Sequence, residues 1–115
     1  MAKNQRYENA LQITVTAPYA VTSGSPVRVG SICGVALIDA AAGERVTIWL
    51  DGSWDLQVTG ATTEGAPVYI TSAGALNVTA TGNYLFGIAL GAKAAAAGPV
   101  EVAPIGYTTQ TAVGA

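Results

Sequence analysis

Seven Asp and Glu, five Lys and Arg, a single cysteine and no histidine bound the acid–base and nucleophilic chemistry open to this chain of 115 residues. Without histidine the usual base at neutral pH is missing, and with it every Ser-His-Asp and Cys-His arrangement. Cys33 sits in the apolar run at residues 32–38 and reads as a small buried hydrophobe. Metal sites built on His or Cys clusters are ruled out in the same way. No G-x-x-x-x-G-K-[ST] occurs, and Lys93 follows Gly91-Ala92 without the rest of that phosphate-cradling motif.

Carboxylates are the remaining catalytic material. Asp51 and Asp55 lie on either side of Gly52, and Asp39 and Glu44 flank an Ala-Gly turn. Neither pair has the several closely spaced oxygen donors of a calcium loop. Two acids brought close in space can hydrolyse a glycoside, but the reading preferred here is that these acids solvate turns. Asn77-Val78-Thr79 matches a glycosylation sequon, and since no secretory signal is expected the match is read as accidental. Trp49, Trp54, Tyr69, Tyr84 and Phe86 could form a sugar-stacking platform. Packing in a core or a subunit interface is preferred, because aromatics bury large areas. The sequence therefore predicts no enzyme, no cofactor and no small-molecule substrate.

The elements that carry these residues repeat with a period of two. Ile13 and Val15, with Leu11, alternate with Gln12, Thr14 and Thr16, as a strand with one buried face does. Val46, Ile48 and Leu50 follow the same rule, as do Trp54, Leu56 and Val58, and Leu76 and Val78. Residues 32–38 and 84–90 are more continuously apolar, as expected of strands covered on both faces, and residues 100–102 read as a short closing strand. Turn signals separate these runs, among them Ser23-Gly24-Ser25-Pro26, Gly65-Ala66-Pro67, Ala73-Gly74 and Thr81-Gly82-Asn83. Asp51-Gly52 between two alternating runs predicts a tight hairpin with positive φ at Gly52. Residues 39–43 support one helical turn at most. Residues 92–97 have helix-forming composition but are too few to stand alone as a helix, and read as a small, smooth loop.

The fold predicted is all-β, a single compact β-barrel or jelly-roll-like β-sandwich of about eight to ten short strands. The domain is placed at residues 11–103, with an extended N-terminal arm at 1–10 and a C-terminal tail at 104–115. Charged residues make up 10 % of the chain, against about a quarter in an average protein. A surface so poor in charge is most simply explained if much of it faces other protein. The few cations are scattered, so nucleic acid is not an expected partner. The longest apolar run is far below the ~20 residues that span a bilayer, so no membrane is expected, and a protein made in the cytosol is the default. The contact residues expected are Lys3, Asn4, Arg6 and Tyr7 in the first arm, Ala94, Ala95 and Ala96 in the small loop, and Tyr107 and Thr108 in the second.

The order of segments resembles a known family. Thr16-Ala17-Pro18-Tyr19-Ala20-Val21-Thr22-Ser23-Gly24 is followed by Val27-Arg28-Val29-Gly30, by Gly34-Val35-Ala36-Leu37 and by Ala40-Ala41-Ala42-Gly43-Glu44. Then come Trp54-Asp55-Leu56, Gly65-Ala66-Pro67-Val68-Tyr69, Thr81-Gly82-Asn83 and Leu85-Phe86-Gly87-Ile88-Ala89. This series is similar to the small capsid decoration, or cement, proteins of tailed bacteriophages. The resemblance implies a compact β-protein on the outside of the expanded head, bound to the major capsid protein at capsomer junctions. It further implies homo-oligomers, commonly trimers and sometimes dimers, that stabilise the shell against packaged DNA. The alternatives are another virion β-protein, such as a tail-tube or head-completion subunit, and a carbohydrate-binding β-module of a host-recognition apparatus.

Overall fold

The computed structural model describes residues 12–107. It contains ten strands: β1 (Gln12–Thr16), β2 (Pro26–Val29), β3 (Ile32–Ala36), β4 (Arg45–Trp49), β5 (Trp54–Thr59), β6 (Pro67–Ile70), β7 (Leu76–Asn77), β8 (Tyr84–Ala89), β9 (Gly98–Pro104) and β10 (Gly106–Tyr107). The all-β expectation holds, with no helix among the described residues. Residues 41–44 close a turn through Glu44 N–H and the Ala41 carbonyl. Gly24, Gly43, Gly65, Gly74 and Gly82 all take positive φ in the predicted turns.

Barrel and sheet are both present. β5, β7, β6, β8 and β9 close into a barrel in that order, and β1, β4, β3 and β10 form a sheet with β2 on the other edge of β3. β5 and β7 run parallel, and every other pairing is antiparallel. β4 and β10 share one edge of β3: Val35 and Ala36 pair with Trp49 and Ile48, and Cys33 and Ile32 with Gly106 and Tyr107.

β3 joins the two bodies, and its sequence shows how. Cys33 and Val35 belong to the barrel core with Leu56, Val58, Val68, Ile70 and Phe86. Ala36, with the part-buried Ile32, belongs to the sheet's own core with Ile13, Val15, Val27, Val46 and Ile48. Successive side chains of a strand point to opposite faces. A strand lying between two cores is therefore apolar at nearly every position.

The predicted hairpin at Asp51-Gly52 is not one. β4 pairs with β1 and β3, whereas β5 pairs with β7 and β9, so the chain crosses there from sheet to barrel. Gly52 does take positive φ, at +83°, and the Trp49 and Trp54 indole nitrogens lie 3.9 and 4.0 Å from where its Cβ would stand. Alternation shows that each strand has a buried face but not which core receives it. Val46 and Ile48 enter one core and Leu56 and Val58 the other, and the two strands take different partners.

Two further contacts tie the bodies together. Arg28 on β2 stacks over the Tyr84 ring on β8 at 3.7 Å from its centroid, a cation–π arrangement. The Tyr19 ring lies against Gly74, where a Cβ would come within 2.7 Å of ring atoms, and its hydroxyl donates to the Pro26 carbonyl at 3.2 Å. Burial raises the Tyr19 phenol above its ordinary 10.0, opposed in part by Arg28. The fold thus favours the neutral phenol. Its contribution is complete below about pH 10 and is lost as pH rises through the raised value. Tyr19→Phe is expected to flatten the alkaline limb of a stability–pH profile measured by urea unfolding, leaving the neutral region changed only by loss of one hydrogen bond.

Candidate protein-interaction surface

Ala94, Ala95 and Ala96 are exposed, and the structure shows how a loop of such small residues is fixed. Lys93 turns its ammonium back on the chain and donates to the carbonyls of Gly60, Ala94 and Ala96 at 2.6, 2.7 and 2.6 Å. An ammonium has three protons to give, and all three are used. The base of the loop is clamped by paired backbone bonds between Thr62 and Lys93 at 3.2 and 3.1 Å. The buried Thr62 hydroxyl donates to the Gly91 carbonyl at 3.0 Å. The outcome is a rigid surface of methyl groups with no side chain to desolvate or to order on contact.

Lys93 escaped the sequence reading, which met it only as the remnant of a phosphate motif. Its ligands are backbone carbonyls, which no residue type announces. Lys93→Met keeps the stem and removes the donors. The loss is expected to be about 1–3 kcal/mol, within the range for hydrogen bonds to charged groups and held down by the half-exposed site. It is read as a fall in melting temperature with faster amide exchange at Thr62.

Of the other expected contact residues, Lys3, Asn4, Arg6, Tyr7 and Thr108 lie outside the described residues, as do the whole predicted arm at 1–10 and residues 108–115 of the predicted tail. The Tyr107 backbone pairs with Ile32.

The rest of the described surface has little chemistry. Asp39 accepts from the Ser23 N–H at 2.8 Å and Glu44 from the Ala41 N–H at 2.7 Å, so both tie down turns. Among the described residues no three His, Cys, Asp or Glu side chains are grouped to hold a metal. Cys33 is buried. Phe86 is fully enclosed, one face of Tyr84 is covered by Arg28, and Trp54 packs on the barrel core while donating to the Asp51 carbonyl.

A family model described as phage cement protein matches residues 5–104, a span that includes both β-bodies. The chain belongs to the phage cement protein family. A structural part in the phage capsid follows from that membership, in keeping with the charge-poor surface. No curated protein and no solved structure matches the chain.

Proposed function

We propose that this cement protein decorates the outer surface of the expanded icosahedral head, binding the major capsid protein at capsomer junctions as a homo-oligomer, with a trimer favoured. It is made in the host cytoplasm and stabilises the shell against the pressure of packaged DNA. The observation that carries this reading is the family match over residues 5–104. The geometry supports it with a two-core body whose halves share strand β3. A subunit that spans two capsid proteins adds an interface of about 1,200–2,000 Å², which must break before the shell can open. Ordering costs are low where the contact loop is already fixed, as Lys93 fixes residues 94–96.

The contact residues proposed are Lys3, Asn4, Arg6 and Tyr7, the Ala94–Ala95–Ala96 surface, and Tyr107 and Thr108. Co-sedimentation with expanded, undecorated heads, with copies per head counted by cryo-electron microscopy, tests the proposal. Saturable density at local three-fold positions is the expected result, and failure to bind cognate expanded heads would reject it. Ala95→Asp places a charge on the exposed loop at no cost to either core. It is expected to weaken head binding tenfold or more, equivalent to about 1.4 kcal/mol, with an unchanged melting temperature.

A further inference from the structure

A cleft of about 440 Å³ opens between the two β-bodies, within the roughly 300–1,000 Å³ range of ligand sites. Its floor is the outward face of β5, with Asp55, Gln57 and Thr59, and its walls are residues 22–26 and 74–76. The hydroxyls of the first wall are engaged locally. Thr22 and Ser25 share a hydrogen bond of 2.8 Å, and the Ser23 hydroxyl donates to the Leu37 carbonyl. The polar groups left facing the cleft are those of the β5 floor.

Among the described residues nothing compensates the charge of that floor. Asp55 stands directly opposite Glu101 in the β5–β9 register, and like charges in that relation are destabilising. Glu101 meets the Ser53 hydroxyl, not a cation. Every Lys and Arg among the described residues is engaged elsewhere. Arg28 is on the Tyr84 ring and the Gly30 carbonyl, Arg45 on Thr14 and Thr16, and Lys93 on its three carbonyls. The chain has five such residues, and the two that remain are Lys3 and Arg6, both in the segment before Gln12.

The position of that segment's root matters. Gln12 pairs with Trp49, Trp49 with Val35, and Val35 with Pro26 in the cleft wall. Three strand spacings of about 4.8 Å put Gln12 about 15 Å from that wall. An extended chain spans about 3.3–3.6 Å per residue, so Arg6 reaches about 20 Å from Gln12 and Lys3 about 30 Å. We propose that residues 1–11 dock in this cleft of their own chain, with Lys3 and Arg6 facing Asp55 and Glu101. The tether selects the chain's own arm over a second copy's, because a short link gives a local concentration in the millimolar range. Glu8 is the arm's one acid and lies nearest the root. The docked arm would become part of the face offered to the capsid.

The test needs no capsid, so it stands or falls apart from the decoration role. A nitroxide is attached to the full chain through Ala2→Cys, Cys33 being buried and unlabelled in the folded protein. Amide signals of Asp55, Gln57 and Ala75 are expected to broaden several-fold. The broadening should vanish in Lys3→Gln/Arg6→Gln and in Asp55→Asn/Glu101→Gln. It should also vanish as ionic strength rises from about 10 mM to about 1 M, which shortens the screening length from about 30 Å to about 3 Å. Isotope-enriched, unlabelled protein mixed with nitroxide-bearing, unenriched protein should show no broadening. Overturning results are an unbroadened cleft in the wild-type chain, broadening indifferent to both charge variants, or broadening that appears equally in the mixed sample.

Discussion

Phe86→Ala should remove about 3–5 kcal/mol of stability, the range for truncating a buried aromatic, from a total that for a domain is about 5–15 kcal/mol. Phe86 is the largest side chain wholly enclosed by the fold. Around it stand residues from β3, β5, β6, β7, β8 and β9. The size of the effect rests on the closed ring of strands. A layer of loosely paired elements could settle into the vacated volume, but a hydrogen-bonded barrel resists radial collapse, so the cavity term adds to the lost transfer energy. The melting temperature should fall by on the order of 15 °C, followed by near-ultraviolet circular dichroism, to which Trp54 at the barrel wall contributes. Ile38→Ala is the control: at 53 % exposure it should change stability by no more than about 0.5 kcal/mol. A Phe86→Ala loss below about 1 kcal/mol would show that the barrel does not close around this ring.

The strands that were legible in the sequence are those with one wet face. β1, β4 and β5 alternate buried and exposed positions as their residues announce, because a single core receives each. β2 and β6 are only four residues long, and Pro26 and Pro67, which read as turn residues, open them. So short a run gives two repeats of the alternation, too few to stand out from the turns beside it. The pairing of β5 with β7 was hidden for another reason: parallel neighbours are joined through an intervening strand, here β6, and nothing local records it. β8 carries the most instructive failure. Its apolar run reads as a strand covered on both faces, yet Leu85 and Ile88 are only half-buried. Val68 pairs with Gly87 but Tyr69 with Leu85, so Phe86 is an extra residue on β8. Such a bulge shifts the alternation, putting both Phe86 and Ala89 in the barrel core although they stand an odd three positions apart.

The candidate surface was legible in part, and for the same kind of reason. The alanine-rich stretch was recognisable as a smooth loop because six residues between glycines are too few for a stable helix, whatever their composition. What fixes the loop was not recognisable, since Lys93 binds carbonyls supplied by Gly60, Ala94 and Ala96, one of them distant in sequence. The cleft between the bodies was equally silent. It exists because the chain leaves the sheet at Gly52 and enters the barrel, where the sequence pattern alone favoured a hairpin.

Gly87→Val should cost about 4 kcal/mol or more and weaken barrel closure itself, an effect in the exceptional range for one substitution. Gly87 is buried on β8 at the bulge, opposite Pro104 of β9. A Cβ on it would run into the Ala103 carbonyl oxygen and stand 2.9 Å from both the Ala103 carbonyl carbon and Pro104 Cα. These are backbone atoms, so no rotamer change relieves the clash; β9 must move outward. That movement loosens the β8–β9 pairing and strains the neighbouring bond from the Ile105 N–H to the Phe86 carbonyl. Glycine inside a strand otherwise weakens it, and here it is retained because two backbones meet. The result expected is a broadened, low-temperature melt with apolar dye binding, and Gly87→Ala should fall between wild type and valine, as graded overpacking requires. Phe86→Ala leaves the strand pairing intact and should still melt cooperatively. Valine at 87 tolerated with under about 1 kcal/mol lost would mean that β8 and β9 are not in this close register, and the closed barrel would have to be redrawn.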